Sequence, residues 1–422
     1  MPRSGGGIYS KGSPSAVSGT TIQSAAYNTT IDDLVTDANA ARPISAGGTG
    51  AVNAADARTN LAVAAVAGSA SQVFSVGPAS ANDHAVSRSF ASAGLYRNRI
   101  VNGSMQISQE RGTALVDVTN GGVYTVDQWV AFLSSTPGGT LRAQQVASVT
   151  PAGSPFRLRF TAQAADASIA AGDIYTIVQS IEGQMIADAL FGTASARQIV
   201  IRFGVRSSLA GTFGVRLTNS AANRSYVTTI TIAGGEINTD LLRTVVIPGD
   251  TAGTWLNDTG VGLILQITLA AGTTFQSTAG SWQNANVTTT SGQTNFMGTA
   301  SATFELFDVG LYVDQLAVGV FPPFEVPAWD ADLRACQRYW QTQEMTARFT
   351  ASAATEFFET PVYWETTMRI APVTSGPTGG TVSNCFAAIN SPTPRFARFL
   401  ITSTAAGDAF YINAIATANA RF

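Results

Sequence analysis

The stretch from Thr303 to Gln341, TFELFDVGLYVDQLAVGVFPPFEVPAWDADLRACQRYWQ, decides the fold. Phe304, Leu306, Val309, Leu311 and Val313 stand among β-forming residues, and a phase change at Phe307–Asp308 predicts a bulged strand. Pro322, Pro323 and Pro327 then forbid a regular element. Beyond Pro327 the period changes. Trp329, Leu333, Cys336 and Trp340 fall on one face of a helix of about three turns. Pro327 suits the helix start, and Asp330 and Asp332 oppose its positive end. A β domain therefore ends here, a short helix (residues 327–345 with its flanks) packs down, and a new segment begins.

Upstream, residues 96–326 read as strands. The expected ones are Ile100–Ile107, Val123–Leu133, Phe156–Thr161, Ile174–Ile181, Gln198–Val205, Thr212–Thr218, Tyr226–Ile232, Leu241–Ile247, Val261–Leu269 and Thr303–Val313. Alternation is plain in FRLRF, where Phe156, Leu158 and Phe160 point one way and Arg157 and Arg159 the other. Turn residues separate the runs at short intervals, and no helical stretches alternate with them. That pattern predicts two antiparallel sheets packed as a sandwich and disfavours a parallel α/β sheet. Residues 346–422 form a second β-rich piece with proline-marked turns, too short for a generous core of its own. It is expected to pack on the helix and on neighbouring subunits.

The first third is different. Residues 1–45 carry few large apolar groups, and Thr29 or Thr30 is expected to cap a short helix with Asp32 and Asp33 in its first turn. Such a segment either stays disordered or folds only against a partner. Residues 46–66, AGGTGAVNAADARTNLAVAAV, put a glycine turn before an Ala-rich helix capped by Asn53. No strand precedes these glycines and no Lys follows them, so they do not form a phosphate loop. Residues 67–95 are small and polar.

Charge and cysteine usage exclude several functions. The 422-residue chain has 24 basic and 27 acidic residues, a net charge of −3, which lacks the basic surface a nucleic-acid grip requires. No apolar run reaches the roughly 18 residues of a membrane span. The two cysteines, Cys336 and Cys385, are too few for a disulfide scaffold; they either pair or remain buried thiols. The single histidine, His84, lies in the polar stretch without converging partners, so neither a triad nor a metal centre is expected, and no cofactor.

Four segments bear a family resemblance. GGTGAVNAADARTNLAV (47–63) is similar to the GGTGA…ARTNLG segment of tail-fibre proteins of tailed bacteriophages. The opening residues 5–37, GGGIYSKGSPSAVSGTTIQSAAYNTTIDDLVTD, resemble the N-terminal segment by which such fibres attach to the virion. RNRIVNGSMQISQERG (97–112) with YTVDQWV (124–130), and PFEVPAWDADLRACQRYW (323–340), resemble the segments that open and close a jelly-roll-like β-sandwich in phage fibre and receptor-binding proteins. The resemblance implies a mainly β chain with an extended N-terminal anchor (1–45) and a short helical stalk and linker (46–95). A jelly-roll-like sandwich (96–326), one short helix and a small C-terminal β domain (346–422) follow, assembled as a parallel homotrimer. It also implies a virion tail-fibre location after synthesis in the host cytoplasm. The docking partner would be a phage tail or baseplate protein, met through Ile8, Tyr9, Ile22, Tyr27 and Leu34. Trp129 is expected in the core and Asp127 at a turn.

The expected activity is adhesion to a host-surface glycan, a polysaccharide or lipopolysaccharide. Aromatic rings stack on the apolar faces of sugars, and Asn, Asp and Arg bond the hydroxyls. Candidates are Trp255, Asn257 and Asp258 in GDTAGTWLNDTG, Trp282, Asn284 and Asn286 in GSWQNANVTTTSGQTN, and Tyr363 and Trp364 near the C-terminus; the competing reading of each aromatic is a core or interface side chain. One alternative is a structural collar or baseplate fibre without ligand. A second is a polysaccharide depolymerase, because paired carboxylates cleave sugars without histidine; Asp127, Asp173, Glu182, Asp308 and Asp314 are its candidates. Fibre depolymerases usually carry long repeated β-helices, and no internal repeat is visible here, so the chain is not expected to be an enzyme.

Overall fold

The structure is a computed structural model that describes residues 17–19, 21, 23–39, 48–49, 51, 56–57, 60, 97–135, 138–315, 317, 319 and 323–422. The expectations for Ile8, Tyr9, Ile22, His84 and nearly all of the GGTGA segment with its Asn53-capped helix fall outside these residues. The chain divides into two compact units, Met1–Ser87 and Arg88–Phe422.

In the first unit, helix α1 spans Ser24–Asn39. It begins upstream of the expected Thr29/Thr30 cap, and no acidic residue lies in its first turn. Asp32 and Asp33 are thus mid-helix, and Thr29 returns its hydroxyl to the carbonyl of Ala25. Tyr27, Ile31, Leu34 and Val35 are exposed on it.

The second unit is mainly β, with antiparallel sheets throughout. Its first part is a jelly-roll-like sandwich. One sheet has six strands in the order β1 (Val116–Val118), β4 (Thr140–Ala147), β5 (Phe156–Ala164), β13 (Thr303–Asp314), β7 (Gln198–Ser207), β10 (Leu241–Ile247). The other has seven, in the order β12 (Trp282–Gln283), β9 (Ser225–Ile232), β8 (Gly211–Thr218), β11 (Val261–Ala271), β6 (Ile174–Glu182), β3 (Val130–Ser134), β2 (Gly121–Tyr124). The inward positions of both sheets make one core that includes Leu158, Phe160, Ile201, Phe203, Leu217, Leu265 and Leu306. Core burial by alternate residues is the arithmetic of the pleat.

β13 is central in its sheet, as its near-continuous apolar run requires. Its register against β7 shifts between Phe307 and Gly310, and Asp308 turns left-handed (φ 50°), so the expected bulge is present. Behind it, Phe307 lies flat over Gly204, where a Cβ would stand 2.0 Å from the ring. The outward arginines of FRLRF are not both solvated. Arg157 is buried, bonded to Asp240 and Glu305, and stacked 4.6 Å from the Phe307 ring centroid.

Two expected strands are something else. Residues 100–107 form a hook, because Asn102 and Met105 take left-handed φ of 56° and 57°. The Asn102 side chain bonds both the N–H and the carbonyl of Ile107, replacing ladder partners. Val123–Leu133 is a hairpin, β2 and β3, turned at residues 125–128 with Gln128 left-handed (φ 69°). Asp127 fixes that turn by accepting from the backbone and side chain of Gln109, and burial raises its carboxyl pKa. Trp129 is fully buried and donates to the Asn102 carbonyl.

The short helices are α2 (Gly183–Ile186) and α3 (Trp329–Gln337). α3 is shorter than expected. It stops at Gln337, and Trp340 opens a strand instead of completing the helical face, while Trp329 is exposed. Asp332 explains why α3 is where it is. Its buried carboxylate accepts from the N–H of Asn102, the hydroxyl of Ser104 and the amide of Gln106. The opening and closing motifs of the sandwich are therefore tied by one carboxylate.

The C-terminal piece is a small sandwich of its own. β14 (Trp340–Ala351), β20 (Gly407–Asn419) and β16 (Val373–Thr378) form one sheet, with β17 (Thr381–Ser383) also on β20. β15 (Phe357–Tyr363), β19 (Phe396–Ser403) and β18 (Cys385–Asn390) form the other. Its core is alanine-rich and closed by Trp364, Met368 and Phe399. It is fastened to the larger sandwich by Arg338, bidentate on the buried Glu182, and by Arg369, which donates to the Thr259 carbonyl. Cys336 and Cys385 are both free thiols; burial pushes the Cys336 thiol well up. Among the described residues no helix is long and apolar enough to cross a membrane.

Candidate glycan-binding surface

Two loops and the short strand β12 meet at the β12–β9 edge of the seven-stranded sheet. The first, 187–197, follows α2. Leu190 is left-handed (φ 55°) and Gly192 has φ 80°, and this kink turns Phe191 toward the second loop. A Cβ on Gly192 would stand 2.8 Å from the carbonyl oxygen of Gly253, so only glycine permits the approach. The second loop, 248–260, carries Trp255. The third segment carries Trp282 on the two-residue strand β12, paired with Tyr226.

The two tryptophans come together. Their ring centroids lie 5.4 Å apart at 82°, and Phe191 packs edge-on against Trp255 at 4.9 Å and Trp282 at 5.6 Å. Tyr226 closes the group 5.4 Å from Trp282. Edge-to-face geometry suits the ring quadrupoles. Phe191, Trp255 and Trp282 rest on the sandwich core and are partly buried, so each keeps surface toward solvent. Both indole N–H groups are already bonded, Trp255 to the Ala252 carbonyl and Trp282 to that of Pro248. What they offer a ligand is apolar ring surface.

Beside the rings is a cavity of about 130 Å³, lined by Ile186, Phe191, Thr193, Trp255 and Asn257, with exposed Leu190 and Leu256 at its rim. This is well below the ~300–1,000 Å³ of drug-sized sites and has room for part of one sugar ring.

Electrostatics hold the loops in place. Arg224 donates two bonds to Asp250, at 2.8 and 2.5 Å, and a third to the side-chain oxygen of Asn284. The Asp250 hydrogen bonds raise the Arg224 pKa. Asp250 in turn accepts from the N–H of Ala252, and its carbonyl accepts from Gly192. The Arg224 guanidinium thus ties the loop bearing Trp255 to the segment bearing Trp282, and the Asp250 carbonyl joins the former to the Phe191 loop.

The other candidates divide. Asn257 lines the cavity. Asp258 shapes its own turn by accepting from Gly260 N–H. Asn286 is exposed and caps Arg216, which is 4% exposed and also bonded to Gln266, Thr218 and Ser225. All these acceptors are neutral, and burial lowers the Arg216 pKa to about 10. The stretch expected as one exposed loop is half embedded: Val287, Thr288 and Thr289 are buried. Tyr363 is 67% exposed but sits on the C-terminal sandwich. Its neighbour Trp364 is a core residue with its indole N–H on the Thr393 carbonyl. Tyr27 and Leu34, expected at the docking segment, are exposed on α1.

Phe191 was not among the expected residues. Its signal was an aromatic beside a glycine, LFG, in a turn between strands. The expected carboxylates are spoken for by structural contacts: Glu182 by Arg338, Asp308 by Thr150 and Ser154, Asp314 by Gln198 and Asp173 by Ala170 N–H. Among the described residues no group of three or more His, Cys, Asp or Glu side chains could hold a metal ion.

Neither protein-family models nor curated proteins match the sequence. Solved structures align over about half of it. The enzymatically active domain of bacteriophage CBA120 tailspike protein 4 aligns at 10% identity and a TM-score of 0.26, over 51% of this chain and 21% of that one. The carbohydrate-binding module CBM4 aligns at 12% identity and 0.26, over 50% and 98%. A family 11 carbohydrate-binding module from Clostridium thermocellum, in complex with a β-1,3-1,4-mixed-linked tetrasaccharide, aligns at 11% and 0.23, over 48% and 96%. The chain thus spans about a fifth of the tailspike domain's length. At these identities and TM-scores the likeness says nothing about what this chain binds.

Proposed function

We propose that this chain is a phage fibre or receptor-binding protein, a homotrimeric virion appendage that adheres to a host-surface glycan without cleaving it. The observation that carries the glycan reading is the meeting of Trp255 and Trp282 at 5.4 Å from separate loops, beside a cavity lined by Asn257. Apolar ring surface next to an amide is the chemistry that sugar recognition requires. The resemblance of the opening, GGTGA, NRIVNGSM and PFEVPAW segments supports the virion setting. In this reading three copies each present one weak site, and linkage converts weak sites into firm attachment.

A glycan array probed with the full chain tests this. Binding to host polysaccharide is expected, with loss in the Trp255→Ala and Trp282→Ala variants and with the polymer left intact after prolonged incubation. Release of reducing ends would move the chain to the depolymerase class. One observation favours the structural-fibre alternative: both indole N–H groups are satisfied within the chain, as in a purely packed cluster. Absence of binding to any host glycan or host cell would establish that alternative.

A further inference from the structure

The outer face of the three-stranded C-terminal sheet is uncovered in the single chain and mainly apolar, with one ion pair, Arg398–Glu359, amid its aromatic side chains. Phe357 and Phe386 flank Thr402 in one cross-strand row and are 69% and 61% exposed. Tyr363, 67% exposed, stands at the other end of β15 with its ring 6.1 Å from Phe396. Leu400 lies between, partly buried. The opposite face of the same sheet supplies Ala397, Phe399 and Ile401 to the domain core, so this sheet carries large apolar side chains on both sides. A strand that alternates inward apolar with outward polar needs one neighbour; a sheet apolar on both faces is built for two.

We propose that the other two copies of this chain, gathered about the trimer axis, cover this face. Three rings at 61–69% exposure leave about 400 Å² of aromatic surface in water, taking ~200 Å² for each ring. A stable interface takes about 800 Å² from each partner, of which roughly 450 Å² is apolar. The face therefore carries about the apolar content of one standard interface. Its charge also suits a copy of itself. The charged groups among its three strands' outward positions are Arg398 and Glu359, paired at 3.2 Å. Around a three-fold axis each copy of the face brings one cation and one anion, so that every Arg398 can meet a neighbour's Glu359 without a like-charge contact. A glycan is the poorer fit. The rings are mainly Phe, without a polar handle, and the two charged groups that could bond hydroxyls are bonded to each other.

The inference deepens the homotrimer reading by naming a surface, and the two fail differently. Sedimentation equilibrium of the full chain, with hydrogen exchange of residues 357–363 and 385–390, tests it. The wild type is expected to be assembled, with slow exchange in both segments. Phe357→Ser/Tyr363→Ser/Phe386→Ser should speed exchange there at least tenfold without altering the exchange of the larger sandwich. Phe357→Leu/Phe386→Leu, which keeps apolar surface, should behave as wild type. A wild type of single-chain mass overturns both readings. An assembled wild type whose mass and exchange are indifferent to the triple substitution keeps the oligomer and overturns this interface. A triple variant that stays assembled with unchanged exchange but loses host glycan makes the face a sugar platform instead.

Discussion

Replacing Arg224 by Met should both weaken the sandwich and disband its aromatic cluster. Asp250 is 2% exposed, and the variant leaves its carboxylate buried with the Ala252 N–H but without its cation. Breaking a buried pair by removing one partner costs roughly 3–5 kcal/mol. The Arg224 side chain is itself 12% exposed, so water screens part of the interaction and the lower end applies, about 3 kcal/mol. At about 2–4 °C per kcal/mol for a domain of this size, the melting temperature should fall by about 6–12 °C. The double variant Arg224→Met/Asp250→Leu removes both charges and should return to within about 1 kcal/mol of wild type. Urea unfolding, followed by tryptophan fluorescence and far-ultraviolet circular dichroism, gives both numbers. A loss below about 1 kcal/mol in the single variant would refute the claim that this guanidinium holds the Asp250 loop to the Asn284 segment.

Other consequences are independent of that pair. Gly204→Ala should destabilise by about 1–3 kcal/mol, since the new Cβ stands 2.0 Å from the Phe307 ring, and Phe307→Leu in the same chain should recover most of the loss. Asp332→Ala should cost about 3 kcal/mol and loosen α3, because it strips the carboxylate from the Asn102 N–H, Ser104 and Gln106 donors; hydrogen exchange at residues 100–107 reads this. Arg157 lowers the Asp240 pKa, chiefly through their side-chain hydrogen bonds. A folded pKa below the unfolded one stabilises above the unfolded value and is lost as pH falls through the folded one. Sandwich stability should therefore decline as pH is lowered below about 4, with a shallower decline in Arg157→Met.

Much of the sandwich was legible because its strands carry clean period-two alternation bounded by turn residues. β5, β7, β9 and β11 lie within a few residues of their expected bounds. Residues 100–107 misled because alternation alone does not reveal that Asn102 is left-handed and uses its side chain as a surrogate strand. α3 misled at its end: Trp340 keeps helical spacing but begins the strand β14, whose partner, β20, starts 67 residues later at Gly407. Arg157 and Arg216 show a further gap. Alternation gives the face a residue takes, whereas burial of that face depends on loops far away in sequence, here the Asp240 turn and the Asn286 stretch.

The candidate site was half legible for the same reason. Trp255 and Trp282 stand out as aromatics in polar stretches, yet their contact depends on Arg224 and Gly192 drawing three loops together, and Phe191 enters only through that packing. Trp364 was open to both a glycan-facing and a core reading; it follows the last residue of β15 directly, faces opposite to Tyr363 and fills the alanine-rich core.

The most direct measurement is calorimetric titration of the full chain with oligosaccharides from the host-surface polysaccharide, wild type against Trp282→Ala. Saturable binding is expected, weakened at least tenfold (about 1.4 kcal/mol) in the variant while its fold persists. Equal affinity in the two proteins, or heat from neither, would contradict it.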